Sequence, residues 1–388
     1  MQFQETEEQS MIREMVRDFA EEVLAPTCLA RDKAQQPPLE EWAQFIEYGL
    51  QSCTIPEDYG GVPLDDVSEA IIVEELARVD ASFAVFFCVH VGLCAKTIVI
   101  HGTEEQKAKY LPMLATDKVG AYSLSEAGAG TDAAAMSCKA KLSEDGTHYL
   151  LTGEKMWVTN GVCADIYVLF AKDVDHPDYG VKKHGGTTAF IIEQDFEGFT
   201  VGKKEDKLGI RATSTCELLL DECRVPRTHI LGELGRGYKV AIETLNEGRI
   251  GIGAQMVGLA QGALDHTLAY VQERQQFGQA IGEFQAVQFQ LAQIQTEVEM
   301  ARLGVYNAAR LHGAGRPFLT EGAMAKLFSS QVAERATSLA VQLFGGVGYT
   351  KDYPVEKLYR DAKIGQIYEG TSNVQLQTIA KQILPCSA

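Results

Sequence analysis

The sequence predicts an α+β protein of several domains, in which a helical region is followed by an antiparallel β region and then by a second helical region. Apolar residues recur at helical spacing towards both ends of the chain, whereas the middle consists of short β-branched and aromatic runs separated by turn residues. The length of 388 residues, of which 46% are hydrophobic and 23% charged, fits two or three globular domains that bury their cores without disulfides.

The N-terminal region, residues 5–115, is predicted to form several packed helices. Pro26, the Pro37–Pro38 pair and a turn over Asp58–Gly61 interrupt its helical periodicity. A helix is predicted at the start of this region, where apolar residues recur at steps of four: Met11, Met15, Phe19 and Val23. The longest apolar stretches, such as Ala81–Val91, are too short to cross a membrane, so no membrane span is predicted.

The middle of the chain, from Gly120 to Pro226, is predicted to form the antiparallel β domain. The runs with strand character are His148–Thr152, Met156–Thr159, Ile166–Ala171, Thr187–Ile192 and Cys216–Leu220. The polar segment Asp173–Gly186 is predicted to be an exposed loop.

After Gly237 the helical period returns and continues to the C-terminus. Three segments without internal proline are long enough for an antiparallel bundle: Val240–Arg274, Phe284–Ala314 and Glu321–Phe344. These changes of pattern predict domains at residues 1–118, 119–230 and 231–388.

The composition excludes several classes of protein. A formal net charge of −18 argues against nucleic acid as a partner, because phosphate binding needs clustered Lys and Arg. The nine cysteines include no Cys-x-x-Cys pair, so no metal site is predicted and free thiols in a reducing compartment are expected. The acidic first twenty residues show no targeting segment, which predicts a bacterial cytoplasmic protein or the mature form of a mitochondrial matrix protein.

Two segments of the β region are suited to a flat ligand that forms hydrogen bonds. The Tyr122–Asp132 segment combines glycines, which let a ligand approach the backbone closely, with the hydroxyl groups of Ser125 and Thr131. Its spacing is not that of a Rossmann fingerprint, and such a segment is as often an ordinary loop. Further on, strand alternation places Trp157 and Thr159 on one face, although a half-buried Trp in a sheet is the commoner arrangement.

Two further motifs lie at the ends of predicted helices. Arg274 follows a long helix and has a fork of donors suited to pyrophosphate, although a cation there also interacts favourably with the helix dipole. The glycine-rich Phe344–Tyr349 segment, preceded by Gln342, is typical of a helix C-cap and also lets a ligand approach the backbone.

Glu369 is the candidate for acid–base chemistry. It lies between Tyr368 and Gly370 in an apolar segment near the C-terminus. Burial raises the pKa of a carboxyl group towards neutral pH, where a general base is effective. One Glu among 53 acidic residues is more often a surface charge, so the assignment depends on all the motifs together.

These five segments occur in the order and spacing of the acyl-CoA dehydrogenase family, which the chain resembles over nearly its whole length. The resemblance implies a helical N-terminal domain, a middle β domain and a C-terminal four-helix bundle, with one FAD per subunit of a homotetramer built as a dimer of dimers. It also implies oxidation of an acyl-CoA to the trans-2-enoyl-CoA, with a hydride passing from Cβ to flavin N5 and electrons then passing to electron-transfer flavoprotein.

The resemblance further implies a role for individual residues, with Glu369 removing the α-proton. The residues expected to contact FAD are Tyr122, Leu124, Ser125, Gly130, Thr131, Trp157, Thr159, Arg274, Phe277, Gln285, Gln342, Gly345, Gly346, Thr371 and Asn373. The residues expected to contact the acyl-CoA are Thr131, Asn246, Arg249, Tyr368 and Gly370. The part of the site around Arg274 would be shared between subunits.

Four segments resemble the short/branched-chain members of the family: Asn246–Arg249, Gly345–Glu356, Asp361–Gly365 and Asn373–Lys381. Isovaleryl-type relatives carry their base immediately before the arginine, where this chain has Gly248, and this favours Glu369. Glu247 is a rival base, although its direction on the helix differs by about 100°. The alternative functions are an acyl-CoA oxidase, which is generally longer, and a non-catalytic FAD- or CoA-binding protein of the same fold.

Overall fold

The predicted order of a helical, a β and a second helical region is confirmed in the structure, a computed structural model that describes residues 4–384. The α-helices before the sheet are α1 Glu7–Phe19, α2 Cys28–Ala34, α3 Leu39–Ile46, α4 Asp66–Val79, α5 Ala81–Cys88, α6 Lys96–His101 and α7 Glu104–Ala115. π-Helical turns follow α1 at Ala20–Leu24 and join α5 to α6 at Val89–Ala95.

The first helix predicted from the spacing is present as α1, but its buried face only partly coincides with the apolar residues at steps of four. Met11, the first of the apolar residues at steps of four, is 69% exposed. The buried residues of the helix are Gln9, Ile12, Val16 and Phe19. Four residues turn an α-helix by about 400°, so a stripe at steps of four drifts by about 40° each time, and steps of three must intervene to keep facing the core.

The helical run from Ala81 to His101 is longer than the sequence predicted. Its 21 residues are long and apolar enough to cross a membrane, so the expectation that this stretch is too short is wrong. However, 78% of its most apolar window is buried inside the protein. Phe86 lies edge-on to Trp42, with ring centroids 4.9 Å apart, as in the core helix of a globular protein.

The β region is a sheet of eight strands. These are β1 Gly120–Ser123, β2 Lys139–Leu142, β3 His148–Val158, β4 Ile166–Asp173, β5 Thr187–Glu193, β6 Phe199–Lys204, β7 Cys216–Pro226 and β8 Ile230–Leu231. The strand order is β6-β7-β3-β2-β4-β5-β8, and β1 pairs with β4. Most neighbours are antiparallel as predicted, but β1 and β2 both pair with β4 in parallel, which departs from a purely antiparallel domain.

The two parallel pairings place β1 and β2 end to end along β4. Gly120 pairs with Ile166 at the start of β4, and Lys139 pairs with Lys172 near its end. The segment between them, residues 124–138, therefore leaves the sheet at the middle of β4. This segment contains the predicted ligand-binding loop.

Strand β3 joins two runs that the sequence pattern separated, His148–Thr152 and Met156–Thr159. Gly153 lies between them at φ 146°, where a Cβ atom would come within 2.8 Å of the Cys138 backbone. The strand ends at Val158, so Thr159 lies in the following turn and not on the strand. The segment Asp173–Gly186 is largely exposed, as predicted.

The C-terminal region contains the three long helices predicted there, each within three residues of its expected bounds. Its helices are α8 Gly237–Glu273, α9 Gln285–Gly313, α10 Leu319–Phe344, α11 Val355–Ala362 and α12 Ser372–Ile383, and the short strands β9 Gln275–Gln276 and β10 Gln279–Ala280 follow α8. Helix α10 packs against α8, α9 and α12. The exact domain boundaries stay predictions. The last predicted domain, residues 231–388, extends beyond the described residues.

Helix α8 also packs closely on α4 of the N-terminal region. A Cβ atom built on Gly258 would overlap the carbonyl oxygen of Glu74, and one built on Gly262 would overlap that of Arg78. Since only glycine fits at these contacts, the two backbones approach each other directly. The two helical regions therefore share one core.

Candidate active site

Glu369 lies in a short loop before α12 and has an unusual backbone conformation. Its φ is 48°, a region that residues with side chains rarely adopt, and Gly370 follows at 92°. The residue as a whole is partly buried, but its Oε2 atom is shielded from solvent and has no hydrogen-bond partner within residues 4–384. A strained backbone that holds a buried, unpaired carboxyl group suggests a functional site.

The carboxyl group of Glu369 rests against α8 at a position without a side chain. A Cβ atom built on Gly248 would overlap Oε2 of Glu369. A small cavity opens beside this contact, and its apolar walls come from Ala70, Cys88, Gly92, Leu93, Ile250 and Gly251. The structure therefore has room for an apolar group next to the carboxyl group.

Burial and charge act on Glu369 in opposite directions. Burial raises the pKa of its carboxyl group to about 7, although the positive charges of Lys326 and Arg249 lower it. Burial likewise lowers the pKa of Lys326 to about 8, against the charge of Glu369. Glu369 can therefore gain or lose a proton near neutral pH, as a general base requires.

The rival base Glu247 is engaged in an ionic cluster. Its carboxylate lies 3.2 Å from Nζ of Lys96 and 3.4 Å from Nε2 of His312. Burial opposes ionisation of Glu247, but the hydrogen bond from His312 and the charge of Lys96 hold its pKa below the ordinary value. Glu247 is thus a weaker base than Glu369 and already has partners for its charge.

Two predicted substrate-binding residues on α8 have buried polar atoms without partners. Oδ1 of Asn246, and Nε and Nη1 of Arg249, are shielded from solvent and make no hydrogen bond within the described chain. Leaving such groups unpaired costs about 1–3 kcal/mol each. Residues three apart on a helix share one side, so these atoms form a site that a polar ligand would satisfy.

The other predicted residues of the Glu369 loop have defined places. The hydroxyl group of Tyr368 donates to the side chain of Gln255. The hydroxyl group of Thr371 accepts from the first turn of α12 at 3.4 Å and so acts as its N-cap. Asn373 is exposed on α12. These positions are compatible both with contacts to cofactor or substrate and with purely structural roles, so the roles of these residues stay predictions.

The predicted flavin contacts of the β domain form an open platform. The N–H of Met156 donates to the carbonyl of Ser125 at 2.9 Å, which fixes the loop after β1 beside strand β3. Trp157 is 56% exposed and held at φ 61°, Thr131 is exposed, and a side chain built on Gly130 would meet only open space. An exposed aromatic face beside a glycine and hydroxyl groups fits a planar isoalloxazine ring.

Two residues of that motif, Tyr122 and Leu124, are buried beneath the platform instead of lying on its surface. The ring of Tyr122 packs 5.2 Å from that of Phe170, and its neighbours include Glu369. Tyr122 therefore links the β domain to the candidate base.

A buried ion pair under the platform does not follow from the sequence pattern. Nζ of Lys155 donates to the carboxylate of Glu126 at 2.8 Å and to the carbonyl of Leu124 at 3.1 Å. In the structure, Lys155 is buried between more exposed neighbours on β3. In the sequence alone, it has the same pattern as a lysine on the surface of a sheet. The pair connects the loop after β1 to strand β3.

The residues predicted to hold the adenosine diphosphate part of FAD lie at the far end of α8. At 1.5 Å per residue, Arg249 and Arg274 are about 37 Å apart along this helix. The exposed residues of the group are Arg274, Phe277, Gln285, Gln342, Gly345 and Gly346. Phe277 is 95% exposed. One chain thus does not bring them close to Glu369, and a shared site would need a second subunit.

Three family models match consecutive parts of the chain. The N-terminal domain of acyl-CoA dehydrogenase matches residues 6–118, the middle domain matches 121–223, and the C-terminal domain matches 235–384. The matches follow the order of the helical, β and helical regions.

Characterised relatives span nearly the whole chain. The short/branched chain specific acyl-CoA dehydrogenase of Rattus norvegicus is 47% identical over 378 residues, which are 97% of this chain and 86% of that protein. The short-chain specific acyl-CoA dehydrogenase of Clostridium acetobutylicum is 45% identical over 384 residues, which are 99% of this chain and 100% of that protein.

Solved structures with the same fold include butyryl-CoA dehydrogenase from Megasphaera elsdenii, which has a TM-score of 0.95 and 42% identity over 99% of this chain and 100% of that one. A chain from "Electron transferring flavoprotein of Acidaminococcus fermentans: Towards a mechanism of flavin-based electron bifurcation" has a TM-score of 0.95 and 46% identity, again over 99% and 100%. An acyl-CoA dehydrogenase complexed with FAD from Bacillus anthracis has a TM-score of 0.91 and 33% identity over 97% of this chain and 67% of that one.

Proposed function

Because this chain belongs to the acyl-CoA dehydrogenase family, we propose that it oxidises a short or short-branched acyl-CoA to the trans-2-enoyl-CoA with Glu369 as the catalytic base. The family depends on FAD, which is the cofactor of this enzyme. The observation that supports the assignment most is Oε2 of Glu369, which is shielded from solvent and has no hydrogen-bond partner within residues 4–384. The carboxyl group has a pKa of about 7 and lies beside a cavity with partly apolar walls.

The side chains of the site suit removal of a proton from the α-carbon of a thioester. Glu369 accepts this proton, since burial keeps its carboxylate basic. The backbone N–H of Glu369 makes no hydrogen bond to another backbone group within residues 4–384, and is the proposed donor to the thioester oxygen. Such a donor contributes about 3–4 kcal/mol, by analogy with oxyanion holes. Bound FAD supplies the acceptor for the hydride that leaves the β-carbon.

The size of the acyl group is inferred from the cavity beside Glu369. Besides its apolar walls, this cavity is lined by five charged residues: Asp66, Glu69, Lys96, Glu247 and His312. A long alkyl chain would have to displace these charges or remove them from water, which is costly. The names of the rat and Megasphaera relatives, short/branched chain specific and butyryl-CoA dehydrogenase, support the same size of substrate.

The proposed FAD site combines the platform of the β domain with the group around Arg274 at the far end of α8, and we propose that the two parts come from different subunits. The platform around Ser125 and Trp157 would hold the isoalloxazine ring, and Arg274 of a second copy would hold the adenosine diphosphate part. The family resemblance supports a homotetramer, a dimer of dimers, as the assembly that brings these surfaces together. Electron-transfer flavoprotein is the proposed acceptor, supported by the similarity to the chain from the Acidaminococcus fermentans study.

The experiment that tests this proposal is anaerobic titration of the purified holoenzyme with straight and branched acyl-CoAs of four to eight carbons. We expect butyryl-CoA and 2-methylbutyryl-CoA to bleach the flavin fastest, because longer chains would meet more of the charged residues that line the cavity. A protein that stays yellow with every acyl-CoA would contradict the proposal. Rapid reoxidation of the bleached protein by air would favour an acyl-CoA oxidase instead.

A further inference from the structure

Helix α10 carries a fully buried lysine whose ammonium group contacts the backbone on both sides of Glu369. Nζ of Lys326 donates to the carbonyl of Tyr368 at 2.9 Å and to the carbonyl of Gly370 at 2.7 Å. The exposed fraction of Lys326 is 0%. Lysine is almost never fully buried unless its charge and its donors have partners, so this position is specified by the loop that it contacts.

These contacts act on a loop whose conformation needs support. Glu369 is held at φ 48°, which persists only where surrounding contacts determine it. Gln375 supplies a second, uncharged support by donating to the carbonyl of Gly370 at 2.9 Å. Lys326 differs from Gln375 because it also brings a positive charge close to the carboxyl group.

We propose that Lys326 is a positioning residue that fixes the backbone of Glu369 and, through its charge, favours the ionised carboxylate that accepts the substrate proton. This inference rests on the proposed function, because it concerns the base named there. The donors of Lys326 are directed to backbone carbonyls, so its effect reaches the reaction through Glu369.

The charge of Lys326 matters because Lys326 and Arg249 supply the charges that lower the pKa of Glu369. The charged residues that also line the cavity form ion pairs with one another. The ionisable groups that face Glu369 are Lys326 on α10, Arg249 on α8, Cys88 on α5, Tyr122 on β1 and the adjacent Tyr368. Burial raises the pKa of the thiol and of both phenols, so these three groups stay neutral. Burial lowers the pKa of Lys326 to about 8, so its charge is present below that pH and fades above it.

The test is the pH dependence of anaerobic flavin bleaching by butyryl-CoA, measured on the holoenzyme and on Lys326→Met. Loss of the positive charge raises the pKa of Glu369, so the acidic limb of the profile is expected to move up by roughly one pH unit. At pH values below the pKa of Glu369, this shift corresponds to bleaching that is about tenfold slower in Lys326→Met than in the wild type. Above about pH 8 the difference should narrow, because Lys326 of the wild type is then neutral as well.

Lys203→Met is the matched control. Lys203 lies on β6, its side chain is 70% exposed, and its replacement removes the same charge far from Glu369. Its pH profile is expected to equal that of the wild type. Gln375→Met removes only uncharged hydrogen bonds to the loop, to the carbonyls of Glu369 and Gly370, so it should slow bleaching by the same factor at every pH. If Lys326→Met does not fold, Lys326→Gln, which keeps a donor and loses the charge, has the same expected shift.

A Lys326→Met profile that coincides with the wild type, or lies below it by a constant factor, would overturn the inference, since the lysine would then only support the fold. The proposed function would still stand if wild-type bleaching is lost in Glu369→Gln. Failure of the wild type to bleach would instead overturn the proposed function, and this inference with it.

Discussion

Burial sets the chemistry of Glu369. Its carboxyl group is removed from water, while the charges of Lys326 and Arg249 limit the rise of its pKa to about 7. The ordinary value is 4.5. A raised pKa means that the folded protein binds this proton more tightly than the unfolded chain does, so ionisation of Glu369 reduces stability. The proposed base thus gains its basicity at a cost in folding free energy.

Glu369→Gln is therefore expected to stabilise the holoenzyme above pH 7. The stabilising effect of the protonated carboxyl group is fully present below about pH 4.5 and is lost as the pH rises through about 7. At high pH, removing the charge should increase the free energy of unfolding by at most roughly 3 kcal/mol. The gain in stability of Glu369→Gln over the wild type is measured by thermal unfolding at about pH 5 and about pH 8.5. If the gain is no larger at the higher pH, burial does not raise the pKa of Glu369 as described.

At the residue scale, the sequence was sufficient to select Glu369 because its neighbours form a motif of the family. Lys326 was not selected, because a lysine between Ala325 and Leu327 has the same pattern whether it is buried or exposed. Only the fold shows that α10 passes under the loop and that Nζ reaches two carbonyls there. Long-range contacts of this kind leave no local signal.

Among the elements, the long helices were predictable because their period of 3.6 residues persists over many turns. The parallel pairings of β1 and β2 with β4 were not, because β1 and β2 are short and their partners lie far along the chain. The close packing of α4 and α8 could not be predicted from the sequence either. Gly258 and Gly262 weaken a helix by propensity alone, and their purpose appears only when the carbonyls of α4 lie against them.

Gly258→Ala is expected to destabilise the protein although alanine favours a helix. The added methyl group would overlap the carbonyl oxygen of Glu74, so the helices must separate, at a cost of about 1–3 kcal/mol. Gly304→Ala on α9 is the control, since a Cβ atom there meets nothing within 4 Å and should stabilise by up to about 1 kcal/mol. The melting temperatures of the two variants are compared at equal protein concentration. A melting temperature of Gly258→Ala equal to that of the wild type would show that α4 and α8 can accommodate the added methyl group.

At the scale of the whole molecule, α8 separates two proposed binding sites. Its N-terminal half carries Asn246 and Arg249 beside Glu369, and its C-terminal end carries Arg274 among exposed residues. The sequence could assign both groups to FAD or substrate by resemblance. It could not show their separation along α8, which the fold provides and which supports a shared site between subunits.

Arg274→Ala is expected to weaken FAD retention without changing the fold. The guanidinium group is exposed in one chain and is proposed to bind the pyrophosphate of FAD in an oligomer. The ratio of flavin to protein absorbance after gel filtration measures retention. Arg224→Ala, which removes an arginine that is 53% exposed on β7, is the control. Full flavin occupancy of Arg274→Ala would rule out the proposed contact.

The most direct test of the central claim is the rate of anaerobic flavin bleaching by butyryl-CoA in Glu369→Gln and in Glu247→Gln. The account predicts that Glu369→Gln keeps FAD and binds the acyl-CoA, yet bleaches at least about 10³-fold more slowly than the wild type, because the general base is lost. Glu247→Gln should keep most of its rate, since Glu247 is bound to Lys96 and His312. Near-normal bleaching by Glu369→Gln, with a large loss in Glu247→Gln, would contradict the account.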